Sequence, residues 1–254
     1  MPKLDRNGVR VYYEAHGKGP VVLLSHGFAA TSAMWRGQVE PLTRKHRLVI
    51  WDMRGHGQSD YPSDPAEYSE AATIGDMAAL LDAVGAERAV VGGLSLGGYM
   101  SLAFHRRYPE RVTALLVIDT GPGFRKDEPR QAWNERALRT AARYDAEGLA
   151  ALGAGSAEVA SSTHRSAEGL ALAARGMLTQ HDAGVIDSLP DIKVPSLVMV
   201  GAEDKNFLAS ADYMATKISG ARKVVIPGAG HSSNLDQPAA FNQALVEFLD
   251  TVSR

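Results

Sequence analysis

The sequence predicts an open α/β fold in which helices flank a mostly parallel sheet, and three observations support this. Short apolar runs rich in Val, Ile and Leu recur without polar alternation, as in strands buried on both faces of a parallel sheet. Helical patterns separate the later runs, so right-handed crossovers should connect the strands. The chain has 254 residues, of which 45% are hydrophobic, enough for one large domain with a sizeable core.

The strands and helices are predicted from these patterns in chain order. Residues 9–14 alternate and fit an antiparallel edge strand. Glycine or proline marks the ends of the clearest helices, with Gly85 after the first, Pro109 after the second and Pro238 opening the last. The parallel strands are predicted at 21–24, 48–51, 89–92, 114–118, 196–200 and 223–226, and the helices at 73–85, 96–108 and 238–252.

Residues 121–186 interrupt this rhythm. They contain no strand-like run and are rich in alanine, with helical stretches at 133–143 and 168–178. A structureless loop of this length is improbable within a compact domain. We therefore predict a helical cap at 121–186, inserted into a core formed by residues 1–120 and 187–254.

Composition argues against several classes of partner. The 27 Lys and Arg residues nearly balance 29 Asp and Glu residues, which disfavours nucleic acid or an anionic membrane as a partner. The sequence has no cysteine and no signal-peptide pattern or long apolar segment, so we expect a cytoplasmic location. No cluster of His, Asp and Glu has metal-ligand spacing, and we expect neither a metal nor a cofactor.

Residues 93–97 match G-x-S-x-G, with Ser95 at the centre. This motif marks a sharp turn from strand to helix that exposes the serine hydroxyl, and a strand is predicted before it and a helix after it. The glycine spacing fits neither a dinucleotide loop nor a Walker loop. The alternative is a tight turn with an incidental serine. Gly92 and Gly98 lie outside the motif and are expected to serve strand–helix packing.

A serine nucleophile needs a base that is oriented by an acid. His231 lies in a glycine-bearing loop after the last predicted strand, and Asp204 follows the run 196–200. The chain order Ser95, Asp204, His231 is that of the α/β-hydrolases. Glu203 and Asp119 are the rival acids, because the first is adjacent and the second ends a neighbouring strand.

With these residues in place, the sequence resembles the α/β-hydrolase superfamily over nearly its whole length, and within it the small capped serine esterases, lactonases and carbon–carbon bond hydrolases. Residues 26–28 (His-Gly-Phe) resemble the family's oxyanion loop, and residues 52–59 its D-x-R-G-x-G-x-S loop. The resemblance implies an eight-stranded, mostly parallel sheet, a small helical cap, and an oxyanion hole formed by the amides of Phe28 and Leu96. In the second loop we expect Asp52 to pair with Arg54 as scaffold, with no catalytic role for Arg54 or His56.

The residue types at and near the predicted triad reduce the number of possible substrate classes. Ser95 differs from the aspartate nucleophile of epoxide hydrolases and dehalogenases, and residues 232–234 (Ser-Ser-Asn) replace the tryptophan that carbon–carbon hydrolases usually carry after the histidine. These features favour cleavage of an ester or lactone through an acyl-enzyme. A carbon–carbon bond hydrolase and a slow-turnover, ligand-sensing hydrolase remain alternatives, and a perhydrolase side activity stays open.

The predicted pocket is apolar. Its predicted wall contains no clear cationic anchor, which suggests a small uncharged ester or lactone. His164 is interpreted as a surface loop residue. The main wall candidates are Trp35, Phe124, Trp133 and Phe207, with Phe28, Met34 and Leu96 as further candidates.

Overall fold

Eight strands form one sheet in a computed structural model that describes residues 3–153 and 155–252. The strand order is β1-β2-β4-β3-β5-β6-β7-β8, in which β2 runs antiparallel to β1 and β4 and the other pairs are parallel. The predicted fold class is confirmed. The strands are β1 Lys3–Arg6, β2 Val9–Gly17, β3 Val21–Ser25, β4 Arg47–Trp51, β5 Ala89–Leu94, β6 Val112–Ile118, β7 Ser196–Gly201 and β8 Arg222–Ile226.

Ten α-helices accompany the sheet in the described part of the chain. They are α1 Arg36–Thr43, α2 Glu70–Ala83, α3 Leu96–Arg107, α4 Asp127–Glu147, α5 Ala157–Ala160, α6 Ala167–Ala173, α7 Gly184–Asp187, α8 Leu208–Lys217, α9 Ser233–Asp236 and α10 Pro238–Val252. Helices α2, α3 and α8 pack on one face of the sheet, and α1 and α10 pack on the other. Side chains of the central strands point alternately into these two cores, which explains why their sequences are apolar at every position.

All six apolar runs are strands, but the position expected for residues 9–14 was wrong. Strand β2 is antiparallel, as expected, yet β1 pairs outside it and forms the edge. Strand β1 consists of Lys-Leu-Asp-Arg and contains no apolar run that periodicity could detect.

Helices α4 to α7 lie between β6 and β7, within residues 121–186 except for the last residue of α7, and we call residues 121–186 the inserted segment. Side chains from α4 and α6, including Tyr144 and Leu170, form a small core with Ala29 and Phe28 from the loop after β3. The inserted segment therefore packs at the carboxyl ends of the parallel strands, the edge at which α/β proteins bind ligands. Its boundaries as a cap domain stay a prediction. Within residues 3–153 and 155–252, no helix combines the length and apolar character that crossing a membrane requires.

Candidate active site

Ser95 occupies a strained turn between β5 and α3. Its backbone has φ 55° and ψ −116°, with a positive φ that L-residues rarely adopt. Such strain costs of order 1–3 kcal/mol and persists only where the surroundings enforce it. Three hydrogen bonds do so here: the Ser95 amide donates to the Ile118 carbonyl (2.9 Å), and the Ser95 carbonyl accepts from Thr120 Oγ1 (2.7 Å) and the Tyr99 amide (3.0 Å).

The glycines around Ser95 allow close approach of backbones. A Cβ at Gly93 or Gly97 would overlap the Ser25 carbonyl of β3, and one at Gly98 would overlap the Thr120 side chain. Gly98 therefore serves the strand–helix junction, as expected. Gly92 differs from the expectation, since a Cβ there would collide with Leu116 on the neighbouring strand β6.

The oxyanion loop predicted at residues 26–28 lies beside this turn, since a Cβ at Gly27 would be 3.5 Å from Ser95 Cβ. The Gly27 carbonyl accepts from His26 Nδ1 at 2.6 Å. Because a peptide group is planar and trans, fixing this carbonyl also fixes the direction of the Phe28 N–H. Thr120 does the same for the Leu96 N–H by holding the Ser95 carbonyl. Sequence reasoning missed Thr120, which is an ordinary residue after a strand.

His231 and Asp204 are directly bonded. His231 Nδ1 donates to Asp204 Oδ2 at 2.7 Å, since only the imidazole carries a hydrogen to give to a carboxylate. The aspartate side chain is 2% exposed and the histidine side chain 30% exposed. The Phe207 ring stacks on the imidazole with centroids 5.2 Å apart. Gly201 allows the end of β7 to lie close to the His231 loop, because a Cβ there would overlap the backbone just before His231.

The electrostatic surroundings raise the pKa of His231. Burial by itself lowers this pKa, but the hydrogen bond and charge of Asp204, with further contributions from Asp119 and Glu158, outweigh it. An imidazole held this way is a stronger base, and its protonated form is stabilised by the neighbouring carboxylates.

Neither of the two rival acids is hydrogen-bonded to His231. Asp119 Oδ1 accepts from the Gly201 amide at 2.7 Å, and its Oδ2 accepts from the Ser233 hydroxyl. Burial raises the pKa of Asp119 to about 7, against the opposing effect of these hydrogen bonds. The Glu203 side chain is exposed. Of the three acids, Asp204 is therefore the one bonded to the imidazole.

Ser95 and His231 both line a cavity of about 450 Å³. Three of the four main wall candidates, Phe124, Trp133 and Phe207, line it as well. Trp35 is a correction: its side chain is fully buried in the core beside Phe241, so it does not belong to the wall. Of the further candidates, Leu96 lines the cavity, Met34 lies in the core and Phe28 lines a smaller neighbouring pocket. Polar wall residues that the sequence did not indicate are Tyr99, Arg136, Gln180, Asn206 and Ser210.

Two further expectations are corrected by the hydrogen bonds. Arg54 does not pair with Asp52; it forms two bonds to Asp76, at 2.6 and 2.7 Å, and one to Glu67. Asp52 instead accepts from two backbone amides, that of Ser32 and that of Gln58 in its own loop. His164 is not a free surface residue, because both of its ring nitrogens are hydrogen-bonded to other loops. Within the described residues, no group of three or more His, Cys, Asp or Glu side chains is arranged to hold a metal ion.

Comparison with known proteins agrees with this architecture. Residues 20–172 match the model of the alpha/beta hydrolase fold family, which covers more than half of the chain. The chain belongs to the α/β-hydrolase family.

Its relatives in this family include several enzymes of esterase and lactonase type. The chain is 30% identical to 3-oxoadipate enol-lactonase 2 of Acinetobacter baylyi, over 95% of this chain and 94% of the relative. A crystal structure of an esterase from Thermogutta terrifontis with malate bound matches with a TM-score of 0.84 and 30% identity, covering 100% of both chains. The enol-lactonase of Burkholderia xenovorans LB400 matches with a TM-score of 0.78 and 28% identity, over 98% of this chain and 100% of that one.

Proposed function

We propose that this α/β-hydrolase cleaves carboxylic esters or lactones through a serine acyl-enzyme. The observation that carries the proposal is the placement of Ser95, on a strained turn, in the same cavity wall as His231, which is bonded to the buried Asp204. The esterase and enol-lactonase relatives support this chemistry.

In the proposed reaction, Ser95 Oγ attacks the acyl carbon while His231 Nε2 takes the hydroxyl proton. Asp204 fixes the imidazole with its hydrogen on Nδ1 and stabilises the imidazolium. The Phe28 and Leu96 amides bind the oxyanion that forms. His231 gives its proton to the leaving alcohol, and it then removes a proton from a water molecule that attacks the acyl-enzyme. As the bond between the acyl carbon and Ser95 Oγ breaks, His231 returns this proton to Ser95 and the acid is released. In a lactone the leaving alcohol stays attached to the acid, so one hydroxy acid is released.

The charge of the substrate needs revision. The expectation of an uncharged substrate rested on a pocket without a cationic anchor, but Arg136 of α4 lines the cavity. On the same helix, Arg139 forms an ion pair with Glu135 and Arg143 forms one with Glu147. Arg136 forms no ion pair with any described residue. The proposal therefore covers esters and lactones with or without a carboxylate.

The test is an assay of p-nitrophenyl esters of increasing chain length together with γ- and δ-lactones, using wild type, Ser95→Ala and Asp204→Asn. We expect Ser95→Ala to lose several orders of magnitude in kcat/KM with its thermal unfolding unchanged. The value of kcat/KM for wild type should rise with pH through the range in which His231 loses its proton, and then level off. Activity of Ser95→Ala near the wild-type level, or carbon–carbon cleavage products without ester turnover, would overturn the proposal.

A further inference from the structure

One short stretch of the inserted segment, residues 156–165, contacts both Ala29, which directly follows the oxyanion loop, and the loop that carries His231. We call this stretch the brace. Neither contact was indicated by the sequence, where residues 161–165 read as a polar surface loop.

His164 forms the contact with Ala29. His164 Nε2 bonds to the Ala29 carbonyl at 2.9 Å, and its Nδ1 accepts from the Gly57 amide at 3.3 Å. The next residue, Arg165, places its guanidinium over the Tyr61 ring at 4.8 Å and donates to the Ser59 carbonyl. The brace is thus bonded to two core loops at once.

His164 completes a row of three histidines around the oxyanion loop. The ring centroids of His26 and His56 are 5.0 Å apart, and those of His56 and His164 are 5.7 Å apart. Each ring accepts one backbone N–H: His26 from Met53, His56 from Ala29, and His164 from Gly57. A histidine can accept only when it is neutral, so its other nitrogen must carry the hydrogen and donate to a backbone carbonyl.

The surroundings keep these rings neutral. Burial lowers the pKa of all three histidines, to about 4 for His26. Repulsion between protonated rings lowers the pKa of His26 and His56 further, whereas the carboxylate of Asp52 raises the pKa of His26 and His164. Near neutral pH the hydrogen-bond pattern is therefore fixed.

This row fixes the backbone on both sides of Phe28. The His26 bond sets the plane of the peptide group that carries the Phe28 N–H, while His56 and His164 hold the N–H and the carbonyl of Ala29. Ala29 needs such support because its φ is 57°, in the left-handed region. Without the His164 bond, the carbonyl of this strained residue loses its link to the inserted segment.

Glu158 of α5 forms the second contact. Its side chain is buried, and its Oε2 accepts from the hydroxyl of Ser232, the residue after His231. Its Oε1 accepts from Ser156 Oγ at 2.5 Å. Within the described residues no Lys or Arg forms an ion pair with Glu158, and its charge raises the pKa of His231.

We propose that the brace positions both halves of the catalytic site, with His164 holding the oxyanion loop and Glu158 holding the His231 loop and stabilising its imidazolium. This proposal rests on the proposed function above. It makes the inserted segment a part of the catalytic framework as well as a wall of the cavity.

The first experiment changes the charge of Glu158 and keeps its shape. Glu158→Gln can still hydrogen-bond both serines, so the variant isolates the negative charge. We expect the acid limb of the pH profile of kcat/KM to move to lower pH by about 0.5, and the plateau to fall about threefold, because the imidazolium of the transition state loses the same stabilisation. The remaining acids that face His231, Asp204 and Asp119, are unchanged. Glu168→Gln, an exposed acid on α6, is the matched control and should move neither value.

The second experiment removes the hydrogen bonds of His164. His164→Phe keeps a ring against His56 but can neither donate to Ala29 nor accept from Gly57. We expect kcat and kcat/KM for a p-nitrophenyl ester to fall together by about 10- to 100-fold, since a misdirected oxyanion donor acts in the transition state. His164→Gln retains one donor and one acceptor and should recover at least part of this loss. His181→Ala, an exposed histidine of the same segment, is the matched control.

The outcomes separate this inference from the proposed function. Absence of ester and lactone turnover in wild type contradicts the proposed function. Normal wild-type turnover, with both brace variants folded and kinetically indistinguishable from their controls, overturns the positioning role. If His164→Phe melts too low to assay, His164→Ala takes its place. An unshifted pH profile in Glu158→Gln, together with a kcat for His164→Gln no higher than that for His164→Ala, then overturns the positioning role.

Discussion

Asp119→Asn should stabilise the folded protein at alkaline pH while leaving Asp204, the proposed catalytic acid, in place. The Asp119 carboxyl is buried beside Asp204, and burial raises its pKa from 3.8 to about 7. Asparagine is a neutral near-isostere that can still accept from the Gly201 amide, and it tolerates the φ of 44° found here. The variant therefore tests the cost of a charge at this position without creating a cavity.

The direction and the size of this pH-dependent change in stability follow from the linkage between protonation and folding. Below pH 3.8 the group is protonated in both the folded and the unfolded chain. Between pH 3.8 and about 7 the folded chain holds a proton that the unfolded chain has lost, so the stability contributed by Asp119 falls as pH rises. This difference in the pKa of Asp119 between the unfolded and the folded chain corresponds to about 4 kcal/mol of folding free energy in total, of which about 2–3 kcal/mol is lost between pH 5 and pH 8. The asparagine side chain of the variant does not titrate and has no such dependence.

Urea unfolding of wild type and Asp119→Asn at pH 5, 6, 7 and 8 measures this difference. The stability of the variant relative to wild type should rise by about 2–3 kcal/mol across the series, equivalent to about 4–12 °C in Tm. At pH 8, kcat/KM should stay within about tenfold of wild type, whereas Asp204→Asn should lose about 10⁴-fold. A relative stability independent of pH would refute the account of Asp119. Near-full activity in Asp204→Asn, with activity abolished in Asp119→Asn, would refute the assignment of Asp204 as the acid.

Three further predictions concern other parts of the site and its scaffold. Thr120→Val removes the hydroxyl that holds the Ser95 carbonyl, so kcat should fall about tenfold with little change in KM, measured by steady-state ester hydrolysis. Asp76→Asn leaves the buried guanidinium of Arg54 without its main counter-charge and should cost about 3–5 kcal/mol in urea unfolding. Arg136→Gln should lower kcat/KM for an ester bearing a free carboxylate about fivefold or more, relative to its uncharged methyl ester. Equal losses on both esters would contradict that role.

The fold and the residues nearest to the proposed chemistry could be read from the sequence because their signals are local. Apolar runs such as 114–118 identify buried strands without knowledge of their partners, and the G-x-S-x-G spacing reflects the backbone crowding of one turn. Asp204 and His231 were predicted as site residues because each follows a strand, and parallel strands bring their carboxyl ends to one edge. Trp35 follows a strand as well, yet its side chain turns into the core.

The supporting residues escaped prediction because their roles depend on which peptide groups they meet across long distances in the chain. Nothing in the polar sequence 161–165 shows that His164 will contact Ala29, 135 positions away. A histidine is also chemically ambiguous until its two hydrogen-bond partners are known, because one backbone N–H that donates to the ring and one carbonyl that accepts from it define its tautomer and thereby its function. The role of Glu158 is equally invisible in the sequence, because its effect on the pKa of His231 depends on the side chain being buried with no cation from the described residues paired to it. Sequence motifs thus predict the groups that are proposed to react, whereas the orientation of the backbone amides that would stabilise the transition state depends on contacts that only the folded chain creates.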